Sequence, residues 1–167
     1  WGLPDAQGNP TGITVNPSLY SFPSALNAQG TVMAIPSSGK TLGLLDVKTG
    51  NLLRTLTGHN SIIYEAAFSP DGSHIATASF DGTAKVWNIS TGALVKTIGV
   101  PGLTVSVAWV NDQSFMIGIA EKTGMLVDLT SGTVKTLTTE GSLGVSGDLA
   151  VSGSGQTAYL THLSSNT

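Results

Sequence analysis

Apolar and polar residues alternate in short runs along most of the chain, as in Ile75-Ala76-Thr77-Ala78-Ser79 and Thr83-Ala84-Lys85-Val86-Trp87. The runs are rich in Val, Ile, Leu and Thr and are broken by Gly, Pro, Asp and Asn, which is the pattern of short strands joined by tight turns. One stretch recurs. Val86-Trp87-Asn88-Ile89-Ser90-Thr91-Gly92-Ala93-Leu94-Val95-Lys96-Thr97-Ile98 is echoed upstream from Leu44 to Leu56 and downstream from Leu126 to Leu137, at offsets of 42 and 40 residues. Each copy reads as a strand, a turn closed by Gly, and a second strand ending in Thr-Leu or Thr-Ile.

Two further strands precede the middle copy: Ile63 to Ser69, then a Pro70-Asp71-Gly72 turn, then His74 to Ser79, with Asp81-Gly82 leading onward. Four strands in a period of 40 to 42 residues is the size of one β-propeller blade. The predicted fold is all-β, a propeller segment of four-stranded antiparallel blades. Strands are expected near 19–26, 32–36, 41–47 and 51–57, near 62–69, 74–79, 83–89 and 93–98, and near 104–110, 115–120, 124–129 and 133–138. The corresponding division is a half blade at 1–17, blades at about 18–58, 59–99 and 100–139, and a partial blade at 140–167. Counted literally, these give 16 strands, enough for a ring of four blades; a longer propeller or a ring completed by a second chain is the preferred expectation.

Composition narrows the function classes. Charged residues make up 10% of the 167, against roughly 25% in ordinary soluble domains. Seven scattered Lys and Arg and a net charge of −3 give no basic face for phosphates, so nucleic acid is not an expected partner. No apolar stretch approaches the roughly 18 residues of a membrane span. The absence of Cys excludes disulfide frameworks, thiolate metal sites and Cys nucleophiles. The chain begins at Trp1 without an initiator Met, as a mature or partial chain would. Low charge and missing Cys point weakly to an extracytoplasmic or cell-surface location, with a cytoplasmic one left open.

The middle unit contains Thr57-Gly58-His59, Phe68-Ser69-Pro70-Asp71-Gly72, Thr77-Ala78-Ser79-Phe80-Asp81-Gly82-Thr83 and Lys85-Val86-Trp87-Asn88. It resembles the WD-repeat family, with Trp-Asn in place of Trp-Asp. His59 lies 22 residues before Asp81 and Trp87 six after it, the spacing of that family. The resemblance implies a hydrogen-bonded structural tetrad of His59, Thr77, Asp81 and Trp87. The other units depart from the pattern, with Gly39 and Leu45 in one and Glu121 and Val127 in the other at the Asp and Trp positions. Leu45-Asp46-Val47-Lys48-Thr49-Gly50 also looks like repeats of lactonase-type and quinoprotein-type propellers, which include enzymes.

Candidate chemistry is sparse. His59, His74 and His162 have no HxH or HExxH spacing, so no metal site is expected, and His74 reads as a solvent-facing strand residue. The carboxylates, Asp5, Asp46, Glu65, Asp71, Asp81, Asp112, Glu121, Asp128, Glu140 and Asp148, mostly fall at turns or strand ends. Asp46, Asn88 and Asp128 recur just before the final apolar residue of the third strand of each unit, which marks a hairpin requirement. No glycine-rich phosphate loop opens a helix, and no cofactor is implied. Asn88-Ile89-Ser90 fits an N-glycosylation acceptor but lies where a strand meets its turn. A hydrolytic triad of His, Thr and Asp lacks any accompanying oxyanion motif.

The resemblance also implies a partner face, the narrow end where first strands begin. Mapped by register it takes Ile62, Tyr64 and Phe80 from the middle unit, Tyr20, Phe22 and Ser38 from the one before, and Leu103, Val105 and Ala120 from the one after. Aromatic and aliphatic side chains there would suit protein or peptide contacts. A register slip of one residue would instead turn them into the packing between blades. The expected function is a non-catalytic protein-protein interaction scaffold within a larger protein or assembly, with self-association possible to complete the ring. Alternatives are a propeller enzyme or enzyme-associated domain, recognisable by His or carboxylates converging on a channel, and a structural subunit of a surface or filament assembly.

Overall fold

A computed structural model describes residues 25–37, 39–119, 123–138, 149–151 and 158–160. The first four strands are β1 (Ala25–Leu26), β2 (Val32–Pro36), β3 (Leu42–Asp46) and β4 (Leu52–Leu56). The next four are β5 (Ile63–Phe68), β6 (His74–Ser79), β7 (Thr83–Asn88) and β8 (Leu94–Gly99). Then come β9 (Thr104–Asn111), β10 (Ser114–Ile119), β11 (Thr123–Asp128) and β12 (Val134–Thr138), and a last pair, β13 (Leu149–Val151) and β14 (Ala158–Leu160). Each group of four forms one antiparallel sheet in chain order, and β13 pairs with β14. The described residues are thus all-β, with three four-stranded blades. Within the strand expected near 19–26, only residues 25 and 26 are among those described, and the expected half blade at 1–17 lies outside them.

Local chemistry sets the hairpins. Asp46, Asn88 and Asp128 each close the third strand as its last residue, rather than preceding a final apolar one. The Asp46 carboxylate accepts from the Thr49 backbone N–H at 2.7 Å and from its hydroxyl at 2.8 Å. Asn88 does the same with Thr91, and Asp128 with Ser131. The glycine that follows, Gly50, Gly92 or Gly132, takes a φ of 71° to 74°, a left-handed turn that side chains resist. Bonds from Thr49 and Ser131 hold the Asp46 and Asp128 carboxyls below the usual range.

The sheets stack face to face, and the core lies in the seams. One seam joins Ala34, Leu42, Leu44 and Leu56 of the first blade to Ile63, Ala66, Ile75 and Trp87 of the second. The other joins Ala76, Ala84, Val86 and Ile98 of the second to Val107, Trp109, Phe115, Ile117 and Val127 of the third. Middle strands are therefore buried on both faces, while β4 is exposed at all but Leu56. Burying an aliphatic or Phe side chain contributes about 1.5–3 kcal/mol each, so the seams carry most of the cohesion.

Polar ties cross the same seams at nearly one repeat spacing. The Trp109 indole N–H donates to the Ala67 carbonyl at 2.8 Å, and the Val107 N–H to the Glu65 carboxylate at 3.0 Å, each spanning 42 residues. The Asp71 N–H donates to Asp112 at 2.8 Å. The Arg54 guanidinium donates to the Ser90 carbonyl through Nε at 2.9 Å and also through Nη2. Glu65 and Asp112 thus serve a neighbouring blade, where the sequence suggested only turn or strand-end roles. His74 is likewise half-buried rather than solvent-facing, with Nδ1 2.7 Å from the Ser73 hydroxyl and its ring 6.4 Å from that of Trp109.

Candidate functional site

The second blade brings His59, Thr77, Asp81 and Trp87 together. His59 precedes β5, Thr77 lies in β6, Asp81 in the β6–β7 turn and Trp87 in β7. Gly58 adopts φ +145°, and a Cβ there would stand 3.2 Å from the Trp87 ring, so a glycine lets the chain lie against the indole.

The bonds form one directed chain. The Trp87 indole N–H donates to the Thr77 hydroxyl oxygen at 3.0 Å. Thr77 Oγ1 lies 2.7 Å from His59 Nε2 and 3.3 Å from the Lys85 carbonyl, which makes the imidazole its nearer acceptor. His59 Nδ1 lies 2.8 Å from Asp81 Oδ2. A neutral imidazole protonated on Nδ1 satisfies every member in turn, Trp to Thr to His to Asp, and this tautomer is assigned from the network. Burial pushes the His59 pKa down against the opposing pull of Asp81, which favours that neutral form.

Asp81 collects further donors: the Asn60 N–H at 2.8 Å, the Thr83 N–H at 3.0 Å and the Thr83 hydroxyl at 2.6 Å. Burial pushes its carboxyl up, but the bonds from Thr83, Asn60 and His59 outweigh it and bring it down to about 2. Asn60 and Thr83 were missed as members, although the Asp-Gly-Thr turn signals the Thr83 contact. As chemistry the arrangement is closed. Thr77 is wholly buried and His59 is 6% exposed, so no substrate atom reaches the hydroxyl. Among the described residues no group of three His, Cys, Asp or Glu side chains is placed to hold a metal.

A second cluster lies at the end of this blade where β5 begins and β6 ends. β5 carries a bulge: Ile63 pairs with Ser79 and Glu65 with Ala78, leaving Tyr64 as the extra residue. The bulge aims Tyr64 onto Phe80, their rings stacked at 5.2 Å and 26°. The Phe80 N–H donates to the Ile62 carbonyl at 2.9 Å. Ile62 and Tyr64 are half-buried, Phe80 is 38% exposed and Leu103 46%, whereas Ile63 between the first two is buried. Val105 occupies the corresponding irregular position of β9, between Thr104 and Ser106. Tyr20, Phe22, Ser38 and Ala120 lie outside the described residues, as does His162.

The family model for the WD domain, G-beta repeat, matches residues 50–88. Residues 50–88 carry a WD repeat. The matched window runs from β4 to β7, so this WD repeat takes its first strand from one blade and its other three from the next. Nuclear distribution protein PAC1 of Arthroderma benhamiae is 37% identical over 67 residues, 40% of this chain and 14% of that protein. The U3 small nucleolar RNA-associated protein 21 homolog of Schizosaccharomyces pombe is 29% identical over 98 residues, 59% of this chain and 10% of its own length. Eukaryotic translation initiation factor 3 subunit I of Aspergillus fumigatus is 36% identical over 73 residues, 44% of this chain and 22% of its own. The matches therefore cover less than a quarter of each of these relatives.

Proposed function

We propose that this WD-repeat segment is a non-catalytic scaffold that binds a protein or peptide at the blade ends around Ile62, Tyr64, Phe80 and Leu103. Tyr20, Phe22 and Val105 belong to the same proposed surface by register. The carrying observation is the stacked Tyr64–Phe80 pair, held by a bulge and left partly in solvent at the end of a rigid blade. An aromatic pair already fixed in place buries area on binding without losing much side-chain freedom. In this reading His59, Thr77, Asp81 and Trp87 hold the strands of the second blade in register, and residues 18–58, 59–99 and 100–139 act as successive blades.

The test is Phe80→Ser, read by thermal melting together with partner pull-down from the source extract. We expect a melting temperature within a few degrees of the parent and loss of the partner. Unchanged capture with a large fall in melting temperature would assign Phe80 to packing instead.

A further inference from the structure

The outer strand of each blade repeats a second pattern: exposed apolar residues followed by a base, with no acid. β4 reads Leu-Leu-Arg-Thr-Leu, β8 Leu-Val-Lys-Thr-Ile-Gly and β12 Val-Lys-Thr-Leu-Thr. Arg54, Lys96 and Lys135 pair across their hairpins with Leu44, Val86 and Leu126, the same position in all three blades. Three of the seven basic residues thus stand along the rim of a chain whose net charge is −3.

The three are not equivalent in use. Arg54 is bound to the Ser90 carbonyl and ties the first blade to the second. Lys96 reaches over the β11–β12 turn, its Nζ 3.4 Å from where a Gly132 Cβ would stand. Among the described residues no carboxylate pairs with Lys96. Beside it, Leu94 is 48% and Val95 50% exposed; Val95 is the extra residue of a bulge, since Leu94 pairs with Trp87 and Lys96 with Val86, which sets Leu94 and Lys96 on opposite faces of the strand. Among the described residues β8 pairs only with β7, which leaves the backbone of its other edge open.

We propose that the free edge of β8 accepts an extended segment of another polypeptide, in which apolar residues alternate with acidic ones, as an added fifth strand. The open backbone edge sets the hydrogen-bonding mode, Leu94 on one face the apolar contact, and Lys96 on the other the sign of the charge opposite. A second copy of β8 carries Lys96 and no acid, so it cannot supply that carboxylate. This surface lies on the blade rim and does not depend on the Tyr64–Phe80 pair.

The probe is a fluorescent N-acetylated heptapeptide, Thr-Leu-Glu-Leu-Glu-Leu-Thr, with otherwise identical peptides carrying Gln or Lys in place of Glu. Fluorescence anisotropy at low salt should show the Glu peptide binding about tenfold more tightly than the Gln peptide. Lys96→Glu, a rim substitution expected to leave melting unchanged, should reverse the preference toward the Lys peptide. Amide exchange across 94–99 should slow only with the preferred peptide. Phe80→Ser should bind the Glu peptide as the parent does, so loss of the aromatic surface and loss of the edge are told apart. Equal binding of the three peptides, a preference that survives Lys96→Glu, or no binding at millimolar peptide overturns the proposal. Binding only to phosphatidylcholine vesicles containing phosphatidylserine also overturns it and assigns the rim to a membrane surface.

Discussion

The second and third blades have the same strand order, yet one column of side chains through them differs in kind. In the second blade the column is Ile75, Thr77, Lys85 and Trp87; by strand register the third places Phe115, Ile117, Met125 and Val127 at the same positions. The first column is organised by hydrogen bonds: Thr77 serves the His59 and Trp87 rings, and Lys85 donates to the Thr97 hydroxyl at 3.0 Å. The second is wholly apolar, and all four of its members are buried. Where the large indole of Trp87 gives way to Val127, its cross-strand partner changes from Ile75 to the larger Phe115. The same blade frame therefore closes either by volume or by a satisfied polar chain. The apolar column tolerates approximate chemistry, whereas the polar one fails when any member leaves its neighbour unpaired.

The largest effect is expected in the apolar blade. Phe115→Ala opens a cavity in a fully buried site and should cost about 3–5 kcal/mol, read by denaturant unfolding. Next comes Thr77→Val, which keeps the shape but strands the Trp87 N–H and His59 Nε2; about 2–4 kcal/mol is expected, larger than for a comparable Thr to Val change at exposed Thr55. Replacing the column together, Ile75→Phe with Thr77→Ile, Lys85→Met and Trp87→Val, should cost less by denaturant unfolding than the sum of the four single changes. An additive sum would show that the two columns are not interchangeable. Asp81→Ala should cost about 1–3 kcal/mol by freeing the His59, Asn60 and Thr83 donors while leaving partner capture nearly intact.

The smallest effect is a pH dependence whose upper step belongs to the polar blade. His59 has a folded pKa below its ordinary value, so the unfolded chain binds the extra proton first as pH falls. Its contribution is complete above about pH 6.5 and is lost progressively below it. Asp81, depressed to about 2, contributes above about pH 4, and that part is lost as pH falls toward 2. Melting temperature should therefore decline in two steps on acidification, and His59→Gln should remove the upper one alone.

Much of the second blade could be read from the chain because its signals are local. Alternation marks the strands, Asp-Gly and Thr-Gly pairs mark the turns, and the resemblance to the WD-repeat family implied four residues, His59, Thr77, Asp81 and Trp87, that the structure joins by hydrogen bonds. Glu65, Trp109 and Asp112 carried no comparable signal. Each bonds across a seam to a residue 41 or 42 positions away, and nothing near them in the chain encodes that pairing. Nor could the roles of Arg54 and Lys96 be separated, since both follow two apolar residues in the same repeated stretch.

The amino-acid sequence by itself determined the strand alternation, the turn chemistry and the repeat, because period-two patterning and left-handed glycines act within a few residues of one another. Only the tertiary structure decided which way Tyr64 points, which carboxylate serves its own turn or a neighbouring blade, and which outer-strand base is occupied. Those outcomes depend on how one sheet sits against the next, and one added residue in a strand, as at the β5 bulge, is enough to redirect a side chain.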